Sequence, residues 1–264
     1  MVSAALVLAF CTSTLTGVIL VSIFVSRGAS LARVQTDFLS SVSHELRTPL
    51  TSMKMFVETL RDDRVTDPEE RKKCLAIVHQ EMTRLDALVG KLIELSRIES
   101  GRQAFEWKPV ALAHVVQDAL GAFDAVKMGT EVNLDVKMEP GLEVVGDRAA
   151  LAQAVANLLT NAWKYTPAQK EIALAVAARD RRSVEIAVSD NGPGIPREEQ
   201  ARVFEEFERG KSAVDSGASG SGLGLAIVRA IVRQHRGRVE LSSSPRGGSS
   251  FRIVLPRHAP VEAG

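Results

Sequence analysis

Asn157-Leu158-Leu159-Thr160-Asn161-Ala162-Trp163-Lys164-Tyr165-Thr166, closed by Pro167, is the stretch on which the reading of the fold turns. It ends an Ala/Leu-rich run that opens at Asp147, a good helix N-cap, and the run predicts a helix to about Lys164. On such a helix Asn157, Asn161, Lys164 and Tyr165 fall within one sector of ~100°. Amide oxygens can ligate a hard cation such as Mg²⁺, a lysine one turn on can neutralise phosphate, and a tyrosine ring can stack on a base. The same residues equally suit a plain polar helix face. Around this helix the pattern alternates: strands are predicted at 131–136, 171–177, 183–189, 238–241 and 251–255, with Asp180 in a turn. Further helices are predicted at 110–126 and from 225 to about 235. Mixed strands and helices of this kind fit a two-layer α/β sandwich.

Two glycine-bearing segments flank the last strands. Asp190-Asn191-Gly192-Pro193-Gly194 follows an alternating strand, and its glycines permit close approach of a ligand to the backbone. Asp190, if buried, could accept from an exocyclic amine; a simple Asx/Gly turn is the alternative. Gly217-Ala218-Ser219-Gly220-Ser221-Gly222-Leu223-Gly224 runs straight into an amphipathic helix, offering backbone amides and a positive dipole end to phosphate. It lacks the Gly-Lys-Ser/Thr of a Walker loop, and no strand feeds it as a Rossmann fingerprint requires. A flexible linker is the alternative, against which the abrupt helix after Gly224 speaks.

The first half of the chain reads differently. Phe38, Val42, Leu46, Leu50, Met53, Val57 and Leu60 recur every three or four positions and form one apolar stripe, interrupted at Pro49, which should kink or loosen the helix. After a polar break, Pro68-Glu69-Glu70 starts a second helix whose seam is Val78, Met82, Leu85, Val89 and Leu92. Such a hairpin holds too little core to stand alone, and pairing two of them into a four-helix bundle would bury both stripes. His44 lies about 200° from Val42, away from the stripe. It is a plain surface histidine or a nucleophile whose second ring nitrogen Glu45 could hold in one tautomer.

No charged residue occurs from Met1 to Ser26, a stretch beyond the ~18 apolar residues that a membrane-spanning helix needs. A cleaved signal would start with positive charge and carry a shorter apolar core. Arg27 and Arg33 follow, which by the positive-inside rule puts the rest of the chain in the cytoplasm. Over 264 residues, 45% are hydrophobic and 25% charged, which excludes wholesale disorder. Lys+Arg number 33 against 32 Asp+Glu, a net charge of +1 without the basic excess of a dedicated nucleic-acid binder, so no nucleic acid is expected as partner. The two cysteines, Cys11 and Cys74, offer neither a disulfide framework nor a zinc site.

Each signal is weak alone, but their order resembles that of the two-component sensor histidine kinases from about Val34 to Pro256. Ser43-His44-Glu45-Leu46-Arg47-Thr48-Pro49-Leu50 is similar to the phosphoacceptor box, and Asn157 to Thr166 to the N box. Asp190 to Ile195 and Gly220 to Ile227 resemble the two glycine boxes. Val203-Phe204-Glu205-Glu206-Phe207-Glu208-Arg209 resembles the phenylalanine box, with Glu208 where the family often has an aromatic. Gly247-Gly248-Ser249-Ser250-Phe251 is similar to the last glycine-rich turn.

The resemblance implies an α+β chain: an N-terminal transmembrane helix (1–26), a juxtamembrane linker (27–33) and a dimerisation and phosphotransfer hairpin (34–101). A linker (102–108), an ATP-binding sandwich of the GHKL ATPase type (109–257) and a disordered tail (258–264) would follow. It implies a single-pass protein of the bacterial cytoplasmic (inner) membrane, a homodimer with its catalytic part in the cytoplasm. ATP would bind under a lid over about 208–220, with Asn161 and Asn157 holding Mg²⁺, Lys164 on phosphate, Tyr165 against adenine and Asp190 on its amino group. Gly192, Gly194, Ile195, Phe207 and Arg209 would line the site, and Gly220, Gly222, Leu223 and Gly224 would close over the triphosphate. His44 would take the γ-phosphoryl group, with Glu45 as base or orienter, and pass it to an aspartate of a response regulator receiver domain. Thr48 would position water for regulator dephosphorylation. Three other readings of the same residues are a chaperone- or mismatch-repair-type ATPase, which lacks the hairpin, a serine kinase of this fold, and a scaffold with a degenerate ATPase domain. The segment between Arg27 and Val34 is too short for a relay domain, so the signal would be sensed in the membrane, by a partner, or by a longer sensor of which this chain is the C-terminal part.

Overall fold

The computed structural model describes residues 40–127, 131–167, 169–208, 220–245 and 247–258. The chain divides into two compact units, Met1–Met82 and Thr83–Gly264. No helix among the described residues is long and apolar enough to cross a membrane, and the expected span 1–26 lies outside them.

In the first unit, α1 (residues 40–61) runs through Pro49 without a break, although proline leaves the carbonyl one turn back without its helical donor. Pro49 is itself buried. The expected helix start at Pro68 holds: α2 (Pro68–Glu99) opens with Glu69 and Glu70 in its first turn, and the Glu70 N–H donates to Asp67 Oδ2 at 3.2 Å. Leu50, Met55, Val57, Leu75 and Met82 are each more than half exposed, so the apolar residues of these helices are not all covered within one chain.

The second unit holds the sandwich. The linker expected at 102–108 runs into β1 (Lys108–Ala111), which pairs antiparallel with β3 (Glu143–Gly146), and α3 (Leu112–Lys127) follows β1 directly. Periodicity alone merged β1 with the helix, because a four-residue strand with two exposed positions leaves no alternation to read. Beyond β2 (Asn133–Met138) and β3 comes α4 (Arg148–Tyr165), then β4 (Glu171–Ala178), β5 (Ser183–Asp190), the single-turn α5 (Arg197–Gln200), α6 (Gly224–Gln234), β6 (Arg238–Ser243) and β7 (Ser249–Pro256). Five strands form one sheet in the order β2-β4-β5-β7-β6; β2 and β4 are parallel, and the remaining pairs antiparallel.

Alternation decides which face is covered. Ile172, Leu174 and Val176 of β4, Val184, Ile186 and Val188 of β5, and Phe251, Ile253 and Leu255 of β7 are buried. The helices bring Leu112, Val115 and Phe123, Leu151, Val155, Leu158 and Leu159, and Ile227 and Ile231 to the same core. Each such aliphatic side chain contributes roughly 1.5–3 kcal/mol by leaving water. The polar edge of this core, where the C-terminal ends of β5 and α4 meet the entry to α6, carries the candidate site.

Candidate active site

Asp147 fixes where α4 begins: its Oδ1 accepts from the Ala150 N–H at 3.0 Å. At the other end the Lys170 ammonium donates to the carbonyls of Trp163 (2.6 Å) and Thr166, placing a cation on the negative end of the helix. Between these ends lie Asn157, Asn161, Lys164 and Tyr165, all half-buried.

β5 delivers Asp190 on the helix-facing side of the sheet, in step with Val188 and Ile186. Its Oδ1 accepts from the Gly192 N–H at 2.8 Å and the Ser249 N–H at 3.3 Å. Its Oδ2 has no partner among the described residues. Burial pushes the Asp190 carboxyl above the usual carboxylate range, and the two backbone N–H bonds offset this only in part. Gly192 sits so close that a Cβ there would stand 2.7 Å from Asp190 Oδ1 and 3.2 Å from the Tyr165 carbonyl oxygen. The end of α4 and the first glycine segment therefore meet at Asp190.

The second glycine segment closes the same place. A Cβ on Gly224 would lie 3.8 Å from both side-chain amide atoms of Asn161, and one on Gly220 would lie 3.6 Å from the Tyr165 hydroxyl. Gly222 adopts φ +69° and packs on Phe207, whose own φ is +62°; a Cβ there would come within 2.6 Å of the Phe207 backbone. Leu223 is fully buried and precedes α6 without giving it a side-chain cap, and among the described residues no side chain caps the first N–H groups of α6. The phenylalanine segment is anchored separately by Phe204, edge-on to Phe251 at 6.1 Å.

Other expected residues have different surroundings. Gly194 (φ +74°) lies against the Ser244 carbonyl, and the Ile195 N–H donates to Ser243 Oγ at 2.8 Å. Asn157 lines a groove between α3 and α4 with Asp118, Ala122, Gln153 and Thr160. Burial first, and the charge of Lys91 second, push the Lys164 ammonium below its ordinary range. Arg209 and most of the expected lid lie outside the described residues.

Sequence reasoning missed the pins behind the site. Ser243 Oγ donates to the Gly248 carbonyl (2.8 Å) and accepts from Ile195, and the Gln200 amide donates to the carbonyls of Ile195 (2.8 Å) and Ser243 (3.0 Å). Ser242, Ser243 and Ser244 follow one another at the end of β6, and nothing local tells which of them makes these bonds.

In the first unit, His44 is exposed on α1 and Glu45 half-buried. The Thr48 hydroxyl, one turn on and also exposed, donates to the His44 carbonyl at 3.3 Å. No cluster of three or more His, Cys, Asp or Glu able to hold a metal occurs among the described residues. An amide such as Asn161 is a suitable oxygen donor for Mg²⁺ that takes its other ligands from phosphates and water.

Residues 34–101 match the family model of the His Kinase A (phospho-acceptor) domain, and residues 146–259 that of the histidine kinase-, DNA gyrase B- and HSP90-like ATPase. The chain is 32% identical over 238 residues to the sensor-like histidine kinase SenX3 of Mycolicibacterium smegmatis, covering 90% of this chain and 62% of that protein. It is 38% identical over 231 residues to the signal transduction histidine-protein kinase/phosphatase MprB of Mycobacterium sp. (strain KMS), covering 84% of this chain and 44% of that one. A solved structure of the mycobacterial sensor histidine kinase MprB aligns with TM-score 0.52 and 32% identity, covering 57% of this chain and 99% of that structure. The chain thus spans less than two thirds of the length of these curated relatives.

Proposed function

The chain belongs to the sensor histidine kinases, and from that premise we propose that it phosphorylates His44 from ATP and passes the phosphoryl group to an aspartate of a response regulator. The observation that carries the reading is Asp190: one carboxylate oxygen accepts from two backbone N–H groups where the end of α4 meets the first glycine segment, and the other has no partner among the described residues. A carboxylate so held can accept from the exocyclic amine of adenine and reject a base that presents a carbonyl there.

The remaining roles follow from position. Tyr165 would lie against the base, and the uncapped start of α6 with Gly220, Gly222 and Gly224 would take the phosphates on backbone amides. Asn161, with Asn157 and Lys164 on the same helix, would hold Mg²⁺ and phosphate oxygens. The metal supplies charge neutralisation between the phosphates. A ring nitrogen of neutral His44 bonds to the γ-phosphorus while the bond from that phosphorus to the β–γ bridging oxygen breaks, and ADP leaves with the electron pair. Glu45 holds the proton on the other ring nitrogen. The phosphoryl group then moves from His44 to the carboxylate of a receiver domain.

Three further features belong to this reading. The half-exposed apolar residues of α1 and α2 support pairing of two chains through the hairpin. The uncharged stretch 1–26 followed by Arg27 and Arg33 supports a membrane anchor with the catalytic part on the cytoplasmic side of the inner membrane. Thr48, next to His44 on an exposed face, supports a second activity as regulator phosphatase.

Asp190→Asn tests the nucleotide assignment. Replacing the open acceptor by a group that also donates should weaken ATP binding by about tenfold or more in a titration with a fluorescent ATP analogue. An unchanged Kd would remove Asp190 from the site and the adenine reading with it.

A further inference from the structure

Between the end of α2 and β1 the chain passes through Phe105, Glu106 and Trp107, and each is fastened. The Glu106 N–H donates to Asp147 Oδ2 at 2.9 Å, while the other oxygen of the same carboxylate caps α4. Burial pushes the Asp147 carboxyl up, but N–H bonds from Ala150, Glu106 and Ala149 outweigh it and hold the group below the usual range. The Asp147 N–H in turn donates to His235 Nε2 at 3.0 Å, and His235 Nδ1 lies 2.8 Å from the Ile231 carbonyl. Nε2 must accept and Nδ1 must donate, so the ring is held in one neutral tautomer. Phe105 meets that ring edge-on at 5.5 Å and Trp107 meets it tilted by 48° at 4.9 Å, while a Cβ at Gly146 would stand only 2.5 Å from Cδ2. His235 is 4% exposed and ends α6, next to Gln234, whose amide donates to the Ile98 carbonyl near the end of α2 at 3.0 Å.

We infer that Asp147 and His235 form a clasp that joins the tether 102–107 to the start of α4 and the end of α6, and that both are positioning residues for phosphoryl transfer to His44. The inference rests on the function proposed above. Asn161 lies fourteen residues beyond Asp147, about 20 Å along the helix, so the clasp touches no nucleotide. What it fixes, together with the Gln234–Ile98 bond, is the course of the segment between the end of α2 and β1, inside the second unit. Slack in that segment widens the positions the ATP-binding elements can take about the end of α2 and dilutes the bound γ-phosphate around its acceptor, which lowers the transfer rate without altering nucleotide affinity. Neither residue acts on the reacting atoms.

Three variants of the full chain separate this from a merely structural role. An asparagine amide sits two bonds from Cβ, like Nδ1, and keeps the Ile231 bond but cannot reach Asp147; a glutamine oxygen sits three bonds out, like Nε2, and can accept from it. In His235→Asn, phosphohistidine formation at saturating ATP should fall about tenfold, with the Kd of a fluorescent ATP analogue within about twofold. Amide exchange over 102–108 should quicken in the same variant. His235→Gln should recover both the rate and the protection. Trp107→Ala alters a side chain that is 52% exposed, and it should show the same separation of rate from affinity. A wild-type rate in both His235→Asn and Trp107→Ala, or a parallel loss of rate and affinity that glutamine does not repair, overturns the inference. If the wild-type chain binds ATP and forms no phosphohistidine, the proposed function fails instead, and unchanged exchange over 102–108 in His235→Asn would then overturn the clasp independently.

Discussion

Thr48 shows how little chemistry a single side chain adds and how much its place decides. Its hydroxyl donates to the His44 carbonyl one turn back, a bond an exposed helical threonine can exchange for water. A hydroxyl in that place can align a water on a phosphoaspartate presented to this face. Alanine removes it while favouring the helix. Thr48→Ala should therefore slow dephosphorylation of the phosphorylated regulator by about tenfold or more while phosphohistidine still forms. Regulator dephosphorylated at the wild-type rate would take Thr48 out of the phosphatase reading. Asp190 makes the complementary point: its burial raises the cost of ionisation, and two backbone N–H groups orient it for a ligand that can donate to the remaining oxygen.

At the level of elements, the glycine segment before α6 works by contact with a neighbour. Gly222 sits on Phe207 with both residues at positive φ, so the entry to α6 and the phenylalanine segment are set together. Gly222→Ala must displace the Phe207 backbone or leave the left-handed region. ATP affinity should fall by about tenfold or more, whereas the thermal midpoint, set by the sheet and its helices, should move by only a few degrees. Unaltered affinity would show that this contact does not shape the phosphate loop. The elements that the sequence made legible are those with long periodicity or strong punctuation. Asp147 as a cap, Pro68 as a helix start and the alternation of β4 and β5 are each written in adjacent residues. What escaped was short or long-range: β1 and β3 are four residues each and recognise one another across more than thirty positions. The site follows the same division. Its residue types were legible in four separate segments, but the bonds of Ser243 to Ile195 and Gln200 and the Asp147–His235 bond span 43 to 88 positions and leave no local pattern.

For the whole molecule, the division of the chain is also a division of labour. His44 belongs to the unit ending at Met82, whereas Asn161, Tyr165, Asp190 and the glycine segments belong to the unit that follows. On the proposed function neither unit contains both the acceptor and the nucleotide site, so phosphoryl transfer would need groups from both, within one chain or between paired chains. Such a transfer would be gated by encounter, which would let a signal act on rate without touching the chemistry. The most direct test is to incubate the full chain with ATP labelled at the γ-phosphate and map the modified residue, beside His44→Gln at equal nucleotide occupancy. An acid-labile label is expected on His44 of the wild-type chain and none on the variant, which still binds ATP. Label that persists in His44→Gln, or its absence from a wild-type chain saturated with ATP, would contradict it.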